Sequence, residues 1–240
     1  MGISRGNITT NIIKKGLVFN MDAANRGSTI PSTSTLKTFN TVDTSISGSI
    51  VTDATWANGT PPTFNFDGSD GYILTNYLGI SAVTKCTISI WAKASNLNLD
   101  IFLYGNRADS PANHGIACQT YTDGKFYAYV SNSSYAYWTR SSNRLSDNTW
   151  FNYVFIFDGS QSTNSDRVRI YTNGISVNYT KSGTFPSVLQ TSDKGMEFAK
   201  DQRQNNPWNG DIGNFQIYNR ALSASEVLFN YNGLKSRFGL

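Results

Sequence analysis

The chain has 240 residues, of which 39% are hydrophobic and 15% charged, so it has enough apolar material for one core within a single large domain. The formal net charge of +4 comes from scattered basic residues, with Lys14-Lys15 as the only adjacent pair, and the basic stripe required for nucleic-acid binding is missing. No apolar run approaches the ~20 residues that span a bilayer, which argues against membrane insertion.

The start of the chain divides into an arm and a first strand. Residues 1–15 show no hydrophobic period and contain no apolar core of signal-peptide length. In residues 16–22, by contrast, Leu17, Phe19 and Met21 alternate with other residues, as in a strand. We therefore interpret 1–15 as an N-terminal arm and candidate attachment segment, and 16–240 as one β-sandwich domain.

The next region, residues 27–62, is rich in Ser, Thr and Gly and predicts a long excursion with short edge strands. From residue 63 onward, short alternating runs separated by turn residues indicate an antiparallel sandwich. Two dipeptides, Asp123-Gly124 and Asn173-Gly174, each predict a tight hairpin with a primed turn. The second hairpin should continue into a strand over 175–179.

Tyrosines concentrate in the middle of the chain. Because strand residues alternate between faces, Phe126, Ala128 and Val130 suit the core and leave the two tyrosines between them on the opposite face. Tyrosines on such a face can stack on sugar rings, or they can be covered by the second sheet or a neighbouring subunit. The crowded aromatic residues are Tyr121, Tyr127, Tyr129, Tyr135, Tyr137 and Trp138, and the last five are the candidate ligand-binding residues.

The sequence offers little for catalysis. Glycoside hydrolysis requires two carboxyl groups close together, and the chain has only two glutamates, Glu197 and Glu226, far apart in sequence. The single histidine, His114, has no neighbouring nucleophile motif. Cys86 and Cys118 are too few for a disulfide framework and are expected to be buried free thiols, without the spacing of a zinc site. We predict a protein that is not an enzyme.

Near the end of the chain, residues 210–228 predict a strand that leads directly into a short helix. Ser223 and Glu226 have the spacing of a capping box. Leu222 and Val227 flank this cap as a hydrophobic staple. Gly233 is the residue expected to end the helix in the left-handed conformation.

Several segments together carry a family resemblance. In order and spacing they resemble laminin-G-like domains of the concanavalin A-like lectin/glucanase superfamily, from about residue 16 to about residue 233. This resemblance implies an all-β antiparallel sandwich of jelly-roll type with one short C-terminal helix, and a recognition role. The segments are 64–73 (FNFDGSDGYI), 87–91 (TISIW), 150–159 (WFNYVFIFDG), 169–174 (RIYTNG) and the strand and helix over 210–228.

The resemblance also leaves one cofactor open. Many members of the superfamily bind calcium through loop oxygens at the rim of the sandwich. No dense acidic loop is present in this chain, so the expectation is no cofactor, with calcium as the open alternative. The candidate ligands would be Asp22, Asp67, Asp70, Asp158 and Asp211.

Residues 16–25 and 231–240 resemble laminin-G-like domains in structural proteins of tailed bacteriophages. This resemblance implies a non-catalytic virion surface protein, as a capsid decoration, fibre or tail component, assembled in the host cytoplasm. Its expected partners are other virion structural proteins and bacterial surface glycans, and a homo-oligomer is expected. A free-standing carbohydrate-binding module is the alternative, and a glycoside hydrolase is the third hypothesis.

Overall fold

The computed structural model describes residues 11–30, 37–107, 115–131, 135–140, 144–201 and 206–240, and the side chains of 29–30 and 131–140 are outside that description. This part of the chain contains eighteen strands and one α-helix. In chain order they are β1 (Leu17–Asp22), β2 (Thr29–Ile30), β3 (Lys37–Phe39), β4 (Ser47–Val51), β5 (Thr55–Ala57), β6 (Thr63–Asp67), β7 (Tyr72–Thr75), β8 (Lys85–Ala94), β9 (Ile101–Gly105), β10 (Gly115–Thr120), β11 (Phe126–Ser131), β12 (Tyr135–Arg140), β13 (Phe151–Asp158), β14 (Val168–Thr172), β15 (Ile175–Ser176), β16 (Tyr179–Ser182), β17 (Glu197–Phe198), β18 (Asn209–Tyr218) and α1 (Ala224–Leu234).

The strands form two antiparallel sheets packed as a sandwich, which confirms the fold predicted from the sequence. Sheet 1, within the described residues, has the order β15-β14-β13-β8-β18-β6-β5, and β1 pairs with the second half of β18. Sheet 2 has the order β16-β12-β11-β10-β9-β17-β7-β4-β3-β2. The short strands β2 to β5 lie at the edges of the two sheets, as expected for the region 27–62.

The main core lies between the two sheets and is rich in aromatic side chains. Phe19 of β1 and Phe215 of β18 come from sheet 1 and pack against Phe198 of sheet 2, with ring centroids of Phe198 and Phe215 3.8 Å apart. Cys86 and Cys118 are buried free thiols in this core, as predicted. Side chains from both sheets therefore exclude water from one continuous interior.

The helix α1 covers the outer face of sheet 1 and encloses a second, smaller core. Its N-terminus carries the predicted capping box, because the Glu226 N–H donates to the Ser223 hydroxyl and the Glu226 carboxylate accepts from the Ser223 N–H. Beyond the helix, the ring of Phe238 stacks on Trp91 with centroids 4.4 Å apart. No helix within the described residues combines the length and apolar composition needed to cross a bilayer.

The prediction that Gly233 ends this helix is wrong. The helix continues through Gly233 to Leu234 and then tightens into a 3-10 helix, and Gly239 is the residue with a positive φ, of 75°. A side chain at Gly233 would collide with the backbone carbonyl of Asn11. The glycine is therefore needed for close contact with the beginning of the chain, which local helix rules do not report.

The two predicted hairpin turns differ. Asn173 and Gly174 have φ values of 51° and 76°, which confirms the primed turn. In the other hairpin only Gly124, with φ of 70°, is left-handed, and its N–H donates to the carbonyl of Tyr121. This geometry is a type I turn followed by a left-handed glycine, so the primed turn predicted for Asp123-Gly124 is wrong.

The strand predicted over 175–179 is also divided. β15 pairs with β14 in sheet 1, whereas β16 pairs with β12 in sheet 2. The Val177 N–H still bonds to the carbonyl of Ile170 before the chain crosses to the other sheet. The crossing allows this segment to close one edge of each sheet.

Residues 11–15 pack against the domain. Ile12 is buried, and Ile13 donates its N–H to Asn230 Oδ1 at 2.8 Å and accepts from the Tyr218 hydroxyl at 3.1 Å. Residues 1–10 lie outside the described part of the chain. The role of 1–15 as an attachment segment stays a prediction.

Candidate functional site

The candidate site is on the outer face of sheet 2, across strands β9 to β12. Phe126, Ala128 and Val130 are fully buried in the core, whereas Tyr127 and Tyr129 are half-buried on the opposite face, which confirms the predicted alternation. Tyr121, just before the hairpin, joins them. We call Tyr121, Tyr127 and Tyr129 together the tyrosine face.

Hydrogen bonds and ring contacts hold the tyrosine face in one arrangement. The rings of Tyr121 and Tyr127 meet edge to face with centroids 4.6 Å apart, and the Tyr129 hydroxyl donates to the Tyr121 hydroxyl at 3.1 Å. The Tyr127 hydroxyl donates to Asp123 Oδ2 at 2.9 Å. Burial and the bond to Tyr121 raise the pKa of Tyr129, so it stays a neutral donor. Side chains already ordered in this way lose little entropy on binding a ligand.

A buried ion pair supports the tyrosine face from the side. The Arg107 Nε donates to Asp201 Oδ2 at 2.7 Å, and its Nη2 donates to the same oxygen. The two side chains are only 4% and 0% exposed. The Arg107 guanidinium also lies 5.0 Å from the ring centroid of Phe102 and 5.1 Å from that of Tyr129. Such cation–π contacts bind Tyr129 to the ion pair.

Small residues make room for this ion pair. Gly105 and Ala117 are paired across β9 and β10, in the same register row as Tyr129. A side chain on Gly105 would overlap the Asp201 carboxylate. The absence of a side chain at Gly105 therefore lets Asp201 lie directly on the sheet, where it meets Arg107.

Two further carboxylates border the tyrosine face. Gln119, which is paired with Tyr127, donates its side-chain N–H to Asp100 Oδ1. Burial raises the pKa of Asp100, against the lowering effect of Arg107. Asp123 at the hairpin accepts from the N–H of Lys125 at 3.0 Å. Both carboxylates can accept hydrogen bonds from a ligand, since each has about four lone-pair sites.

The other predicted site residues lie on β12, where only the backbone is described. The register places Tyr137 opposite Tyr129 and Tyr135 opposite Ser131. Trp138 is opposite Ala128, a position on the core side of the sheet. The side chains of Tyr135, Tyr137 and Trp138 lie outside the described part of the structure, and their role in binding stays a prediction.

Arg107 and Asp201 are the site residues that sequence reasoning missed. They are 94 residues apart and belong to no motif. The one available signal was the glycine at 105, at the end of a strand in which a glycine is otherwise unfavourable. That signal indicates a close approach of another group without identifying the group.

The predicted calcium ligands do not come together. Asp22, Asp158 and Asp211 each form a separate ion pair with an Arg or Lys side chain. Within the described ranges, no group of three or more His, Cys, Asp or Glu side chains could hold a metal ion. His114 lies outside those ranges, and calcium binding stays untested.

Comparisons with known proteins agree with this architecture. A laminin G-type family model, described as the concanavalin A-like lectin/glucanases superfamily, matches residues 67–228. A sequence comparison with curated proteins finds no match.

Several solved structures share the fold. Domain 4 of AbnA, a GH43 extracellular arabinanase from Geobacillus stearothermophilus in complex with arabinotriose, is similar at 20% identity with a TM-score of 0.63, covering 90% of this chain and 98% of that domain. The receptor binding domain of botulinum neurotoxin D is similar at 17% identity with a TM-score of 0.65, covering 91% of this chain and 52% of that one. A Trypanosoma rangeli sialidase is similar at 12% identity with a TM-score of 0.59, covering 92% of this chain and 33% of the sialidase. The chain thus spans about half of the toxin domain, and at these identities the likeness shows the fold alone.

Proposed function

We propose, from the premise that this chain belongs to the concanavalin A-like lectin/glucanases superfamily, that it is a non-catalytic recognition domain that binds glycans on its tyrosine face. The observation that carries the proposal is the arrangement of Tyr121, Tyr127 and Tyr129. Their rings are half-buried on an outer sheet face and are held by hydrogen bonds to one another and to Asp123. A flat apolar ring with a hydroxyl at its rim matches the alternating apolar and polar surface of a sugar.

Similar structures include domains that bind a sugar or a receptor. The structure of domain 4 of AbnA, which is nearly the size of this chain, is a complex with arabinotriose. The toxin domains similar to this chain are described as binding domains. These neighbours support recognition of a glycan or a receptor as the function, and the tyrosine face is the feature of this chain that suits a glycan.

One of the two glutamates has a structural role. Glu226 is held by Arg220 and by the Ser223 N–H at the start of α1, and the Arg220 hydrogen bond lowers its pKa to about 2. It is therefore a structural group of α1, which covers sheet 1, whereas the tyrosine face is on sheet 2. A glycoside hydrolase is the alternative, and release of reducing sugar from polysaccharides by the purified protein would establish it.

We also propose that the domain is carried on the surface of a virion, as a homo-oligomer attached to other structural proteins. The support is the resemblance of residues 16–25 and 231–240 to phage structural proteins. Deletion of residues 1–10 keeps the packed residues 11–15 and should abolish incorporation into particles while the sandwich stays folded. Undiminished incorporation would refute the attachment role and favour a free-standing carbohydrate-binding module.

A glycan array tests the recognition function directly. We expect binding by the unaltered protein, with the assay repeated after chelation to reveal any calcium requirement. Tyr127→Ala should weaken binding roughly tenfold, equivalent to the loss of about 1.4 kcal/mol of ring contact, with a small change in melting temperature. Tyr72→Ala is the control, because Tyr72 lies on β7, several strands from the tyrosine face.

Two outcomes would contradict the proposal. If the protein binds no glycan with or without calcium, the tyrosine face is a contact surface for other proteins. If Tyr127→Ala and Tyr72→Ala bind as the unaltered protein does, the glycan is bound on another surface.

A further inference from the structure

We propose that the tyrosine face selects neutral glycans and discriminates against those with carboxylate, sulfate or phosphate groups. This inference rests on the proposed glycan-binding function and specifies its ligand class. It follows from the described charges that border the tyrosine face, where the arginine in contact with Tyr129 is already neutralised and the acceptors are carboxylates.

Among the described residues, Arg107 is the cation that contacts the tyrosine face, at 5.1 Å from the ring centroid of Tyr129, and it is committed to Asp201. Proteins commonly recognise anionic groups through the fork of an arginine side chain, which donates two parallel hydrogen bonds. Here Nε and Nη2 of Arg107 both donate to Asp201, and the guanidinium lies against the rings of Phe102 and Tyr129. The side chain is almost fully buried, so an acidic sugar would have to displace Asp201 to reach it.

The remaining described cations beside the hairpin are also paired. The ammonium of Lys125 lies 3.7 Å from Asp123 Oδ2. Arg144 packs over Gly124 and bonds to both carboxylate oxygens of Asp147, at 3.1 and 3.2 Å. Within each of these pairs the positive and negative charges cancel, as they do in the pair of Arg107 and Asp201. Lys181 of β16 is paired with Trp138. The register therefore places Lys181 on the opposite face of the sheet from the position of Tyr137.

Asp100 adds a further carboxylate, and in the described part of the chain it forms no ion pair. Its Oδ1 accepts from Gln119, beside Tyr127 in the register. Asp123 at the other side accepts from the Tyr127 hydroxyl. A sugar stacked on Tyr127 would therefore meet carboxylate acceptors that suit the O–H donors of neutral sugars. A negatively charged sugar group in the same position would meet like charges.

The experiment compares one polymer in two charge states. Polygalacturonate and the same polymer after chemical reduction of its carboxyl groups have the same linkage and ring shape, and differ in charge. Arabinan, galactan, mannan and a mixed β-glucan extend the neutral set. Binding is measured by isothermal titration calorimetry on the full chain, at low and at moderate salt. We expect every glycan that binds to be neutral or carboxyl-reduced. Polygalacturonate should bind roughly tenfold more weakly than its carboxyl-reduced form, or not at all.

A substitution at Asp123 tests whether the carboxylates beside the tyrosine face cause the discrimination against charged glycans. Asp123→Asn keeps an oxygen to accept from the Lys125 N–H but removes the charge, so it should narrow the affinity gap between charged and reduced polymer. Asp53→Asn is the control, since Asp53 is exposed in the connection between β4 and β5, and it should leave the gap unchanged. An unchanged gap in Asp123→Asn would overturn the assignment to these carboxylates.

Failure of the neutral selectivity and failure of the glycan-binding function give different results. Equal or tighter binding of the charged polymers, lost in Tyr127→Ala, would overturn neutral selectivity and leave the glycan-binding function intact. Absence of binding to every neutral and charged probe would overturn the glycan-binding function itself, and the inference with it.

Discussion

Replacement of Arg107 by alanine should destabilise the protein severely. Because Arg107 and Asp201 are 4% and 0% exposed, solvent does not screen the pair, and removal of the arginine leaves the buried charge of Asp201 without this cation. Breaking one side of such a pair costs about 3–5 kcal/mol in free energy of unfolding. For a chain of this length, that loss lowers the melting temperature by roughly 6–20 °C.

Urea unfolding of the variant, extrapolated to water, measures this loss. The matched control is Arg144→Ala, which removes the same side chain from an exposed pair, with Arg144 40% and Asp147 34% exposed, and should cost less than about 1 kcal/mol. The loss of unfolding free energy for Arg107→Lys should lie between these two values, because lysine keeps the positive charge but cannot donate from two nitrogens of a planar group. If Arg107→Ala costs no more than Arg144→Ala, the buried ion pair does not stabilise this face and does not support Tyr129.

Three further predictions concern Gly105, Glu226 and the two cysteines. Gly105→Ala should lower the free energy of unfolding by about 1–3 kcal/mol in urea melts, because its Cβ would overlap the Asp201 carboxylate; unchanged stability would refute this packing. Glu226 has a pKa of about 2, below its ordinary 4.5, so its stabilisation is complete above pH 4.5 and lost towards pH 2. In urea melts at a series of pH values, Glu226→Gln should reduce the loss of unfolding free energy between pH 4.5 and pH 2. A loss equal to that of the unaltered protein would contradict this prediction. Burial raises the pKa of Cys86 to about 12 and that of Cys118 further, so neither should react with a thiol reagent until the protein is unfolded; labelling of the folded protein would contradict it.

The features predicted correctly depend on residues close together in the chain. The capping box joins Ser223 to a residue three positions later, and the primed turn needs only Asn173 and Gly174. The exposure of Tyr127 follows from the alternation of strand side chains alone. In each case the atoms that decide the structure lie within one turn or one strand.

Two of the wrong predictions, the helix end at Gly233 and the strand over 175–179, failed because a distant segment decided the outcome. Glycine is the residue type that commonly ends a helix, but at Gly233 the carbonyl of Asn11 approaches closely and the helix continues. The strand predicted over 175–179 is divided because its two halves pair with different sheets. Local propensity cannot report which sheet edge is available to a short segment, since that depends on the packing of the whole sandwich.

The sequence by itself determined the all-β class, the alternation that separates Phe126 from Tyr127, and the capped C-terminal helix. These features follow from periodicity and from hydrogen bonds between near neighbours. Only the tertiary structure decided that Arg107 would meet Asp201 beside Tyr129, across 94 residues of chain. The charge and stacking of the candidate site arise from contacts between strands, and the order in which strands pair is set by packing of the complete core.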